Sequence, residues 1–120
     1  MKELDYIFKA QKAIEHHQPR EAIISLSNIM ARQIKHLCHD KLGPDFFSIE
    51  NLKSYNFRDL ILISLEQHVL VDMDEKERLK LNQMIRVRNK AVLNLDNLKD
   101  ADGKFFLEQM LLFLKLNPIN

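Results

Sequence analysis

Tryptophan and threonine are absent from the 120 residues, while glycine occurs twice, proline three times and cysteine once. A chain this poor in glycine and threonine argues against an all-β design, which spends glycine on turns and β-branched residues on strands. A lone cysteine, Cys38, excludes an internal disulfide and fits a reducing compartment. Missing too is any apolar run near the ~20 residues of a membrane span. The opening MKELDYIFKAQK has no apolar core of the signal-peptide kind. These absences lead to the expectation of a cytoplasmic protein with no membrane contact. A net charge of +1 removes any global attraction to nucleic acid, so such a role must rest on a local patch.

What is present is an ordinary globular composition, 46% hydrophobic and 29% charged, in a length that suits one domain over residues 1–120. Helical spacing of Leu4, Ile7, Phe8 (or Tyr6), Ala10 or Gln11, and Ile14 predicts a first helix over Glu3 to His17. Pro19 closes it and opens a second, Arg20 to Leu42, whose wide apolar face suits the middle of a bundle. Gly43-Pro44 stops that helix. A connector from Asp45 to Tyr55 carries Phe46 and Phe47, expected to fold back over the bundle, and room for a short helix around Ile49–Lys53. Asn56 reads as the N-cap of a third helix, Phe57 to Val71. Asp74-Glu75-Lys76-Glu77 reads as a capping box that starts a fourth helix, running to about Leu95. An acidic loop, Asp96 to Gly103, then leads to a last apolar helix over Lys104 to Leu116. The expected fold is all-α: an antiparallel bundle of four principal helices plus a short additional one.

The fourth helix carries two oddities. At ~100° per residue from Leu81, the residues Met84, Ile85, Arg88, Val92 and Leu95 share one stripe, so an arginine points where apolar contacts belong. Asn82, Arg86, Asn89 and Leu93 cluster on a polar flank beside it, where a leucine is unexpected. A guanidinium in an apolar stripe must reach water, pair with a carboxylate such as Asp59 or Glu66, or face a cleft where its planar fork can clamp a phosphate. Between Glu77 and Asp96 lie Arg78, Lys80, Arg86, Arg88 and Lys90 without an intervening acid. Such a strip is either a solvated face or a nucleic-acid contact. Leu79 shares the flank with Leu93, and the two together also fit an apolar contact with a partner protein.

Other chemistry is sparse. His36 and His39 flank Cys38 and precede Asp40, but a metal site needs three or four converging ligands and no distant set completes this one. His16-His17 sits at a helix end, where imidazoles meet the dipole and free carbonyls. His68, late in the third helix, would be a general base only if it faced Arg88. There is no nucleophile elbow, phosphate-binding glycine loop or dinucleotide fingerprint, so no cofactor or metal is expected.

At Ile85-Arg86-Val87-Arg88-Asn89-Lys90-Ala91-Val92 the chain resembles the HEPN superfamily, helical bundles marked by Arg, a polar residue (often Asn) and a His four to six residues on. The layout also agrees: a helical hairpin, an irregular connector, a third helix, the motif helix and a closing apolar helix. The resemblance implies a homodimer with the motif helices facing each other across a cleft. In active members that cleft cleaves RNA without a metal, histidine acting as acid and base on the ribose 2′-hydroxyl and arginine steadying the phosphate. Many members are toxins with a neutralising partner, or act in phage defence. By position, Arg88 takes the arginine role, Asn89 the polar one, and Leu93 stands where the histidine belongs; Arg86, Lys90 and Asn82 would contact RNA. Leucine has no titratable proton, and loss of a general base costs ~10²–10⁴ in rate. The expectation is a ribonuclease-type domain that is catalytically impaired, either a degenerate member or one carrying a His-to-Leu change. The alternative is a non-catalytic module for protein interaction or RNA binding.

Overall fold

The computed structural model describes residues 2–43, 56–93 and 98–118, apart from the side chains of 2–4. Among these residues the chain forms five α-helices and no strand: α1 (Lys2–Glu15), α2 (Pro19–Leu42), α3 (Phe57–Glu66), α4 (Glu75–Val92) and α5 (Asp100–Leu116). The all-α expectation holds. The connector with its short helix, and the placement of Phe46 and Phe47, lie outside the described residues, as do Pro44 and Leu95.

α2 is the hub, packing against each of the other four helices. Its sequence explains why. Ala22, Ile23, Leu26, Ile29, Met30, Ile34, Leu37 and Cys38 are buried, an apolar surface too wide for one partner. Pro19 supplies its first turn, and Gly43 ends it at φ 90°, with its N–H on the His39 carbonyl at 3.0 Å. The core around α2 is filled by Ile14 from α1, Leu60 and Ile61 from α3, Met84 and Ile85 from α4, and Phe106 and Met110 from α5.

Helix ends show where local sequence rules suffice and where the chain departs from them. Asn56 caps α3, its side chain accepting from the Asp59 N–H at 2.8 Å. The capping box at α4 is present: the Asp74 carboxylate accepts from the Glu77 N–H at 2.7 Å, and Glu77 reaches back to the Asp74 N–H. α3, however, stops at Glu66, five residues before Val71. His68 takes a left-handed conformation, φ 56°, and the Val69 N–H bonds the Ser64 carbonyl while the His68 N–H bonds Leu65, the two bonds of a Schellman turn. α1 ends in the same way with His17 at φ 60°. The reversal after α3 turns Val69 and Leu70 inward, and both are buried off the helix rather than on it.

α5 begins at Asp100, four residues before the expected start. Asp102 accepts from the Lys99 N–H at 2.9 Å, and two aspartates sit in the positive first turn. Gly103 is therefore helical, not a loop residue. A Cβ there would meet Ile14 Cγ1 at 3.2 Å and Pro19 Cβ at 3.4 Å, so its lack of a side chain permits α5 to approach the α1–α2 corner. On α1 the inward residues are Ala10 and Ile14, whereas Phe8 is 63% exposed and Tyr6 is also exposed. Neither aromatic alternative in the helical spacing of α1 is buried; Ile7 and Ala13 pack beside Ala10 and Ile14 at the edge of the core.

Candidate functional site

α4 lies against both α2 and α5, and this two-sided contact sets which of its residues go inward. Leu81, Met84, Ile85, Val87 and Ala91 are buried. The buried face is turned by about 35° from the stripe read off the sequence. Val87 and Ala91 are inside, and Val92 is 46% exposed at the helix end instead of buried.

Arg88 remains within this rotated face. It is half-buried, and its guanidinium carbon lies 5.6 Å from the centre of the Phe57 ring, a cation–π contact. Phe57 is itself fixed by burial and by a tilted contact with Phe106, ring centres 6.3 Å apart. Among the described residues Arg88 Nε is buried without a hydrogen-bond partner, and no carboxylate pairs with the guanidinium. Asp59 and Glu66, the two carboxylates considered from the sequence, are exposed and make no ion pair with it. Burial pushes the Arg88 pKa below its ordinary value. Arginine nevertheless stays charged in proteins, so the site holds a partly dehydrated, permanent cation with spare donors.

Arg88 lines a pocket of about 160 Å³ with Ser27, Asn28, Ala31 and Lys35 of α2, and Asn56, Phe57 and Leu60 at the start of α3. Two cations and three neutral polar side chains line it, and no acid does among the described residues. The N-terminal end of α3 opens on the same space and adds positive potential. The donor set, an arginine fork with a lysine and neutral polar groups, is of the kind that suits an oxyanion. Lys35, Asn28 and Ser27 were not singled out from the sequence. Their signal lay in α2 at spacings of one, seven and eight residues, but nothing local connects them to Arg88.

The other sequence-predicted residues lie elsewhere on α4. Asn82, Arg86, Asn89 and Leu93 are all exposed, with Leu93 at 68%, and Lys90 is half-buried. Leu93 caps α4, its N–H on the Asn89 carbonyl at 3.0 Å. Arg88 and Leu93 project about 140° apart around the helix, so one copy of the chain does not bring the two to a common point. A neighbouring contact unforeseen from sequence secures this end: Arg20 Nε donates to the Ala91 carbonyl at 2.8 Å. Leu79, 59% exposed, continues the outer flank.

His68 does not face Arg88. It follows the C-terminal end of α3, whereas Phe57, under Arg88, begins that helix, so the length of α3 separates them. His17 Nδ1 hydrogen-bonds Asp100 at 2.5 Å, tying the α1–α2 corner to the start of α5. Cys38 is buried and its thiol pKa raised by burial, while His36, His39 and Asp40 are exposed, so the cysteine points away from the imidazoles. No group of three metal-ligating side chains converges among the described residues, and no described helix is long and apolar enough to cross a membrane. Comparison with family models, with curated proteins and with solved structures finds no significant match to this chain.

Proposed function

We propose that this chain is a HEPN-like helical domain of the RNA-cleaving toxin or defence type, an antiparallel bundle that binds RNA and is catalytically impaired by Leu93. The observation that carries the reading is Arg88: a permanent, partly dehydrated cation without a carboxylate partner among the described residues, held over Phe57 in a polar pocket. An arginine needed only for stability would be paired, because leaving it unpaired costs free energy that an aliphatic residue would not. In this reading Arg88 binds an RNA phosphate, Asn89 supports it, and Arg86, Lys90 and Asn82 follow the strand.

Because Arg88 and Leu93 diverge around α4, a site containing both takes the arginine from one copy and position 93 from another. Exposed Leu93, Val92 and Leu79 supply apolar area for such a homodimer through α4. Leu93 has no proton to exchange with a ribose 2′-hydroxyl, so the chain binds without efficient cleavage. Its setting is the cytoplasm, and its cognate partner is a neutralising protein that covers the same face.

The test restores the missing base. Leu93→His should produce metal-independent RNA cleavage and growth arrest on expression, a gain of ~10²–10⁴ over the parent chain, and adding Arg88→Ala should abolish both. A folded Leu93→His protein with neither effect removes the catalytic part of the proposal. The exposure of Leu79 and Leu93 also favours a second reading, a protein-interaction module. Under it, Leu93→Asp abolishes a specific complex that Arg88→Ala leaves intact.

A further inference from the structure

The α2–α3–α4 pocket carries more information than one arginine. Lys35 of α2 lines the same pocket as Arg88. Neither cation has a carboxylate partner among the described residues. Two positive charges lining one small space without a carboxylate between them among the described residues favour an anionic ligand there. Asn56 contributes a donor: its side-chain oxygen is engaged by the Asp59 N–H, leaving the amide N–H₂ available. Asn28 and Ser27 add neutral polar atoms on the α2 side.

Size and charge together define the ligand. The pocket, about 160 Å³, is below the ~300–1,000 Å³ of sites that enclose whole small molecules, so it takes an end group and not an entire nucleotide. A phosphodiester brings one negative charge, whereas a phosphomonoester brings about −1.5 to −2 at neutral pH. We propose that this pocket binds a phosphomonoester, Arg88 and Lys35 neutralising the dianion and the Asn56 amide donating to a third oxygen. The inference rests on the reading of Arg88 as a phosphate ligand, but requires neither cleavage nor a dimer. The phosphate has two sources, the end of an RNA strand or a free nucleotide or orthophosphate.

The experiment uses the whole chain. Thermal unfolding is followed with orthophosphate or AMP against chloride at equal ionic strength. Binding of short RNAs ending in 5′-phosphate, 3′-phosphate or hydroxyl is measured by fluorescence anisotropy. Orthophosphate or AMP should raise Tm by a few degrees, or a phosphorylated end should tighten RNA binding by about tenfold (about 1.4 kcal/mol). Lys35→Gln and Arg88→Gln should each remove the response, and Lys104→Gln on α5 should keep it. The source is the RNA end if only phosphorylated RNA responds, and a small phosphate if the small anions respond alone. No shift with either anion together with equal binding of all RNA ends overturns the proposal, as does a full response in folded Lys35→Gln. Salt-dependent RNA binding blind to the end group, with no Tm shift from either anion, overturns this inference while leaving the RNA reading in place. A pocket response without RNA binding does the reverse.

Discussion

The two sides of α4 use the same residue types for opposite purposes. On the inner side Arg88 lies over an aromatic ring, partly out of water, and lines a pocket with a second cation, Lys35. On the outer side Arg86, two turns of sequence from Leu79 and one from Asn82 and Asn89, is exposed to solvent. Exposure makes the outer residues tolerant and their individual contributions small. Partial burial makes the inner arginine expensive, and an expensive group that remains unpaired in the described structure points to a ligand more strongly than a run of surface charge does. The leucines follow the same division: Leu81 is core, whereas Leu79 and Leu93 are surface.

The contrast can be broken most forcefully at Phe57. Phe57→Ala removes a buried ring that also supports Arg88, and should cost ~3–5 kcal/mol in chemical denaturation. Phe57→Leu keeps most of the volume and should recover the larger part of that loss. Its remaining deficit includes the cation–π contribution of ~0.5–2 kcal/mol. Arg88→Met should lower RNA affinity about 10–100-fold, the equivalent of a charged hydrogen bond of ~1.5–3 kcal/mol. Its effect on stability should stay within ~1 kcal/mol, since a lost cation–π contact is offset by removal of a buried donor without a partner. A loss of ~3–5 kcal/mol would instead identify Arg88 as half of a buried ion pair.

The sign of its pH dependence also follows. Burial lowers the Arg88 pKa, so the folded state releases that proton before the unfolded state and its effect on stability changes only as alkaline pH reaches the lowered value. Because arginine remains protonated throughout the ordinary range, the stability difference between wild type and Arg88→Met should be flat from about pH 5 to 9. On the outer side, Arg86→Gln should reduce the slope of log affinity against log salt by ~1 for RNA. Its effect on folding, and that of Leu93→His, should remain within ~0.5 kcal/mol. A large destabilisation by either outer variant would erase the distinction between the two sides.

Helix starts with side-chain caps were legible because their chemistry is local: Asn56 bonds three residues ahead, and Asp74 and Glu77 bond each other. The wide face of α2 was legible because periodicity records burial on a single helix. What was missed depends on segments distant in sequence. The face of α4 is rotated because α2 and α5 both contact it, which draws in Val87 and Ala91 and leaves Val92 outside. The premature end of α3 rests on a histidine adopting a conformation more usual for glycine, and on Asn117 accepting from the Val71 N–H at 2.8 Å. For the candidate site, Arg88 announced itself by standing in an apolar stripe, but Lys35 is an unremarkable lysine until the fold brings α2 beside α4.

The Arg20–Ala91 hydrogen bond has a dynamic consequence. Helix ends normally open and close independently of the body of a domain, and the amides of their last turn exchange hydrogen readily. Here the carbonyl of that turn is held by a side chain from the first turn of α2, the helix that also walls the Arg88 pocket. The last turn of α4 and the beginning of α2 are therefore coupled in local opening. Releasing Arg20 would let the end of α4 fray, and position 93 would sample a wider arc.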